Sequence, residues 1–387
     1  MKIAKSVNKL GTEAVYNIFA KTKKLIKEGK EIIDLSLGQS DFKSPPHAVD
    51  ATIKALKAGH HGYTLPTGII ECREAVSRKI KSLYNANVDP ERIVIMPGGK
   101  PTMHYAISFF GEPGSEIIYP DPGFPIYKSM IDFTGAKAVS YNMIENKDFS
   151  INPDKILKLI NEKTSLLILN NPHNPTGGFT EKKVIDKLAD GLKKFPNLVI
   201  LSDEVYDRLI FDNKKIPSLL NYPDLYERLI VLNGWSKTYA MTGWRLGWGV
   251  WPEKLIEHVF KFCVNSHSCV NTPAQYGAIA ALDGPENHLD DMMKEFNVRR
   301  KLIVKGLENL NGIKCSMPGG SFFVFPNVEE TGMNGEEFTN KCLHEIGVAM
   351  IPGTAFGKFA THNVRLNFAT SQENISKAIE KMDKLLK

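Results

Sequence analysis

The chain has 387 residues, 42% of them hydrophobic and 24% charged, an ordinary globular balance that argues against a disordered or membrane-embedded protein. Lys and Arg outnumber Asp and Glu by 49 to 43, and the resulting +6 is too small and too scattered to argue for nucleic-acid binding. The five cysteines (Cys72, Cys263, Cys269, Cys315 and Cys342) are odd in number and lack metal-ligand spacing, so neither a disulfide framework, a thiolate cluster nor any other metal site is expected.

Lys2, Lys5 and Lys9 are followed by no apolar leader, and no apolar run reaches the length of about eighteen residues that spans a bilayer. The expectation is a cytoplasmic protein without a membrane partner. At roughly 150 residues per domain, the length implies two or three units.

In chain order, residues 12–28 have helical period and residues 32–37 read as extended. An alternation then sets in. Predicted strands at 92–96, 116–119, 138–141, 165–169 and 198–202 are separated by predicted helices at 101–110, 124–135, 153–161 and 181–194. Further strands follow at 229–232 and 246–250, too close together for a helical crossover, so one of that pair is expected to run antiparallel. Buried strands alternating with helices predict an α/β fold with a mostly parallel seven-stranded sheet flanked by helices.

Beyond Asp283-Gly284-Pro285 the pattern changes to a helix at 290–310, a strand at 321–328, a helix at 337–346, a strand at 364–368 and a helix at 373–386. This is the composition of a smaller α+β domain. The expected division is a large cofactor-binding domain over 46–283, a small domain over 284–387, and an N-terminal segment (1–45) packing on the small one.

Four polar or glycine-rich clusters each come just after a predicted strand: Pro97-Gly98-Gly99-Lys100, Asn170 to Pro175, Asp203-Glu204-Val205-Tyr206 and Gly234-Trp235-Ser236-Lys237. In open α/β sheets, ligands bind outside the carboxyl ends of the strands, so the four clusters point to one shared site. Gly98-Gly99 before a helix suits an anion, though by itself it reads more readily as an ordinary tight turn. No Walker loop or dinucleotide fingerprint is present. A lysine such as Lys237, deprived of water and set among cations, can add to a carbonyl, and a buried carboxylate such as Asp203 can hold a pyridine nitrogen protonated. Alone, these two also read as a surface lysine and a helix cap.

The segment Ser236-Lys237-Thr238-Tyr239-Ala240-Met241-Thr242-Gly243-Trp244-Arg245-Leu246-Gly247 resembles the lysine motif of class I/II, fold type I aminotransferases. Asn171-Pro172-His173-Asn174-Pro175-Thr176-Gly177, Asp203-Glu204-Val205-Tyr206, Pro318-Gly319-Gly320-Ser321 and Val364-Arg365-Leu366-Asn367 resemble further family segments, in the family's order. The resemblance runs from about Leu35 to the C-terminus.

It implies pyridoxal 5'-phosphate as cofactor and a ping-pong transfer of nitrogen between an amino acid and a 2-oxo acid. Lys237 would form the Schiff base and then carry the proton, Asp203 would pair with the pyridinium nitrogen, and Asn174 and Tyr206 would bond the ring hydroxyl oxygen. Phe124 would stack on the ring. The backbone of Gly99 and Lys100, with Ser236 and Arg245, would hold the phosphate, with Tyr63 reaching the phosphate of the neighbouring subunit of a homodimer. Arg365 would grip the substrate α-carboxylate, aided by Asn174 and the Gly38 backbone.

Lys100 corresponds to a lysine that meets acidic side chains in one branch of the family, which implies glutamate or aspartate as one partner. A solvent-facing lysine at a helix start is the other reading. The sequence departs from the family where Gly234 replaces a frequent phosphate-binding serine, where Gln39-Ser40-Asp41-Phe42 replaces the usual entrance segment, and at Cys72. Two rival functions share these residues: a lyase acting by β-elimination, and a cofactor-sensing regulator. The second normally carries a DNA-binding domain ahead of this fold, and no helix-turn-helix precedes the match.

Overall fold

The computed structural model describes residues 1–11, 14–144 and 148–387, and the side chains of these except Ala14 and Val15. The strands in chain order are β1 (Ile33–Asp34), β2 (Ile93–Met96), β3 (Glu116–Asp121), β4 (Lys137–Asn142), β5 (Thr164–Asn170), β6 (Val199–Asp203), β7 (Leu229–Gly234), β8 (Gly247–Val250), β9 (Phe323–Val324), β10 (Val348–Ala349), β11 (Ile351–Pro352) and β12 (Val364–Asn367).

Seven of these form one sheet in the order β2-β8-β7-β6-β5-β3-β4. The seven are the runs marked as strands in the sequence. Their aliphatic residues are covered on both faces, as Ile93 and Ile95 enter one core cluster while Val94 and Met96 enter another. Pairing is parallel from β4 through β3, β5 and β6 to β7. β8 runs antiparallel to both β7 and β2, as the short connection requires, so β2 is parallel to the rest again. The carboxyl ends of β2, β5, β6 and β7 therefore lie along one edge, with the four polar clusters attached.

A second core unites the N-terminal segment with the C-terminal part. Ile33 and Leu35 pack with Phe296, Phe322, Phe323, Leu366 and Met382. β1 pairs in parallel with β10, and the Leu35 carbonyl accepts the Asn367 N–H at 2.8 Å. This is the smaller α+β layer. It also receives Tyr206, Leu209 and Phe211, so the chain leaving β6 passes from one core into the other.

Some boundaries differ from expectation. The strand expected at 321–328 is reduced to β9, because Ser321 takes φ +57° and Pro326 has no N–H to give a ladder. The helix expected at 337–346 begins at Gly335 with an Asn334–Glu337 capping box, and its last turn, Cys342–Ile346, widens to π geometry. The helix expected over 12–28 is observed as Ala14–Lys27, while Thr12 and Glu13 lie outside the described residues. Among the described residues no helix is long and apolar enough to cross a membrane.

Candidate active site

Lys237 sits in the turn after β7, between Trp235 and Met241, both fully buried. The Trp235 indole N–H donates to the Ala278 carbonyl at 3.0 Å and fixes the start of that turn. The lysine Nζ donates to the Gly38 carbonyl at 2.5 Å and faces the rings of Phe322 and Tyr206, at 5.5 and 5.9 Å from their centroids. Burial, then Arg365, Arg245 and Lys100, lower its pKa to about 8, against the opposing pull of Asp203.

Asp203 ends β6 and is buried. Its Oδ2 accepts the Tyr127 hydroxyl at 2.6 Å, and its Oδ1 accepts the Val205 N–H at 3.3 Å. Burial pushes this carboxyl up to about 6 despite these bonds. A carboxylate so placed is stabilised by a cation brought in front of it, as a pyridinium N–H would be.

On the other side of Lys237, Arg365 comes in from β12. Its Nη1 donates to Asn174 Oδ1 at 3.0 Å and its Nη2 to the Ser36 carbonyl at 2.6 Å. The guanidinium is flanked by the rings of Phe323 (4.3 Å) and Phe356 (4.8 Å). Asn174 is itself held through its backbone N–H by Asn170 Oδ1 at 2.9 Å.

The third group surrounds the N-terminus of the helix Lys100–Phe110. Gly98 has φ +88°, and a Cβ there would fall 2.1 Å from Arg245 Nη2. The guanidinium can lie against the helix start only because residue 98 has no side chain. Arg245 is itself left-handed (φ +54°) and donates from Nη1 to the Thr242 carbonyl at 2.7 Å. Gly99, Lys100 and Ser236 are half-buried around it, and Lys100 Nζ lies 5.5 Å from the ring centre of Phe124. Backbone N–H groups at a helix start, an arginine and a hydroxyl form a donor set that fits a phosphate dianion.

The departure at Gly234 has a structural cause. A Cβ at this position would come 2.8 Å from the Gly247 Cα, so the close approach of β7 and β8 leaves no room for serine.

Lys237, Asp203, Tyr206, Asn174, Arg365, Gly38, Gly99, Lys100, Phe124, Ser236 and Arg245 thus converge on one edge of the sheet. Tyr63 does not join them within the chain, being 94% exposed. Sequence reasoning missed Tyr127, Asn170, Ser36 and Phe356. Tyr127 lies one helical turn beyond Phe124, a usable signal. Ser36 acts through its carbonyl, which no sequence pattern reveals.

A family model described as aminotransferase class I and II matches residues 30–382. An aspartate aminotransferase of Pyrococcus abyssi is 36% identical over 361 residues, 92% of each chain. An aromatic-amino-acid aminotransferase of Thermococcus litoralis is 35% identical, again over 92% of each chain. The aspartate aminotransferase of Thermus thermophilus, solved with maleate, superposes with a TM-score of 0.94 at 29% identity, covering 100% of both chains.

Proposed function

The chain belongs to the class I and II aminotransferase family, the pyridoxal-phosphate-dependent transaminases, and from that premise we propose that glutamate or aspartate is one of its two substrates. The chain is an aminotransferase, and the transaminase names of its relatives favour transfer over β-elimination. Support for an acidic substrate comes from Lys100, whose Nζ stands beside Phe124 at the rim of the site and adds to the positive field on Lys237.

When bound, pyridoxal phosphate supplies the electron sink that makes an amino acid's α-proton removable. Lys237 Nζ is the group that takes that proton from the α-carbon and returns it elsewhere. Asp203, braced by Tyr127, would hold the proton on the ring nitrogen. Tyr206 and Asn174 would bond the ring hydroxyl oxygen, Phe124 would cover the ring, and the backbone of Gly99 and Lys100, with Ser236 and Arg245, would bind the phosphate. Arg365 orients the substrate through its α-carboxylate, with Asn174 and the Gly38 backbone completing that pocket. Both half-reactions use these groups in turn.

We infer a large unit over 46–283 and a small unit over 284–387 with the 1–45 segment, meeting at this site. We also infer a cytoplasmic homodimer. In support, Tyr63, Leu65, Phe262 and Val264 are exposed, and Thr272 Oγ1 donates to the Gly62 carbonyl, which ties the Tyr63 loop to the chain beyond Val264. Tyr63 would reach the neighbouring subunit's phosphate. The cysteines fit a reducing compartment, four of the five being buried free thiols.

The direct test is the visible spectrum of the purified holoenzyme before and after L-glutamate alone. Bleaching of the yellow band supports the proposal. A band untouched by glutamate and aspartate but bleached by another amino acid overturns the acidic substrate.

Two variants sharpen the assignment. Lys100→Ala is expected to raise KM for glutamate about tenfold or more and to leave alanine nearly unchanged, one charged hydrogen bond being lost. Steady-state kinetics with both donors checks this, and equal effects on both remove Lys100 as the reader. Gly98→Ala places a Cβ at positive φ and against Arg245, and is expected to weaken pyridoxal phosphate binding by about tenfold in fluorescence titration of the apoprotein.

A further inference from the structure

Asp207 follows Tyr206 directly, yet its buried carboxylate is engaged behind the sheet edge. The Tyr84 hydroxyl donates to Asp207 Oδ2. Tyr84 ends the helix Ile70–Tyr84, and its carbonyl is itself fixed by the Asn221 amide at 2.6 Å. Asn233 lies on β7 four residues before Lys237, and its Oδ1 accepts the Gly234 N–H at 2.7 Å.

The backbone around Asp207 is equally constrained. Its N–H donates to the Glu204 carbonyl and the Leu209 N–H to that of Tyr206, both at 2.9 Å. The Glu204 carboxylate turns instead to Ser202 and the Leu219 N–H. Next to it, Arg208 forms a fork on Glu286 at 3.0 and 2.7 Å, joined there by Lys79 at 2.9 Å. A buried carboxylate is costly, and an apolar residue of similar size would often be at least as stabilising. What an apolar residue lacks is the ability to hold two loops in register.

We propose that Asp207 is a positioning residue: its carboxylate, held by the Tyr84 hydroxyl, ties the loop carrying Asp203 and Tyr206 to the end of the helix Ile70–Tyr84. The inference rests on the roles proposed above for Tyr206 and Lys237. Asp207 thereby fixes the loop of Tyr206, which would bond the cofactor's ring oxygen beside Lys237, without itself being placed against cofactor or substrate.

The test compares holoenzymes carrying Tyr84→Phe, Asp207→Asn and Asp207→Ala. Three quantities are read: the pH midpoint of the visible band, amide hydrogen exchange over residues 81–85 and 204–208, and the melting temperature. Tyr84→Phe is expected to move the midpoint by about half a pH unit or more, the scale of one hydrogen bond, and to speed exchange in both segments. Asp207→Asn can still accept from Tyr84, and is expected to shift the midpoint less than Asp207→Ala.

A Tyr84→Phe protein with a lowered melting temperature but an unmoved midpoint and unmoved exchange overturns the inference. The wild type separates the two levels. A holoenzyme that no amino donor bleaches overturns the transaminase roles themselves, whereas normal bleaching with an unmoved Tyr84→Phe midpoint overturns Asp207 alone.

Discussion

Lys237→Ala is expected to lower kcat about 10^4-fold, the upper range for loss of a positioned proton-transfer group. Stopped-flow bleaching of the holoenzyme by L-glutamate measures it directly. Retention of more than a few per cent of the wild-type rate would mean that another group moves the proton. Among the described residues around Lys237 Nζ, the neighbours that shift its titration are Arg365, Arg245, Lys100 and Asp203. The three cations are poor bases, and Asp203 already accepts from Tyr127 and, in the proposed arrangement, would face the ring nitrogen.

The same lysine carries a pH prediction whose sign follows from its environment. Its amine titrates at about 8 rather than at the ordinary 10.5, so it is neutral, and able to attack a carbonyl, above about pH 8. The rate at which the apoprotein takes up pyridoxal phosphate is expected to rise with pH through a midpoint near 8 and to level off about one pH unit above it. A rate still climbing toward pH 10 would show that burial and the neighbouring cations do not act on Lys237 as described.

Arg365→Ala is expected to cost about 10^2- to 10^4-fold in kcat/KM, the range for losing two hydrogen bonds to a charged group. Arg365→Lys keeps the charge but not the planar fork or the sandwich between Phe323 and Phe356, and is expected to lose a large part of the same factor. The α-carboxylate is common to every amino acid, so glutamate and alanine should suffer alike. That separates Arg365 from Lys100, whose loss is expected to fall on acidic substrates only. A simple amine without a carboxylate should be nearly indifferent to Arg365→Lys. A selective loss with glutamate would instead place Arg365 on the side-chain carboxylate.

The reading of the sequence succeeded where local pattern and tertiary environment impose the same demand. Most strands of the main sheet were legible because they are short aliphatic runs covered on both faces; β4, half-buried at the edge, and β8, Gly247–Val250, are the exceptions. The helix Lys182–Leu192 was legible because only one side of it is buried, through Ile185, Leu188, Ala189 and Leu192. The helix Thr272–Asp283 was not, since it is enclosed nearly all round, with Thr272, Gln275 and Gly277 buried beside Ala274, Ala278 and Leu282, and so shows no amphipathic period. β10 and β11 have two residues each and are strands only through their partners.

The same division runs through the site. By itself, the sequence determined the chemistry: a lysine, a carboxylate, an arginine and a glycine pair, three of them at the ends of strands that must lie parallel, so that their loops share an edge. Only the tertiary structure decided the electrostatics and the supports. Lys237 is an ordinary lysine until folding removes its water and brings Arg365, from more than a hundred residues away, into its field. Tyr127 braces Asp203, Ser36 offers its carbonyl to Arg365, and Tyr84 secures Asp207 through contacts between segments far apart in the chain. Residue type and local period are written in the sequence, but desolvation and the distance between charges are properties of the packed whole.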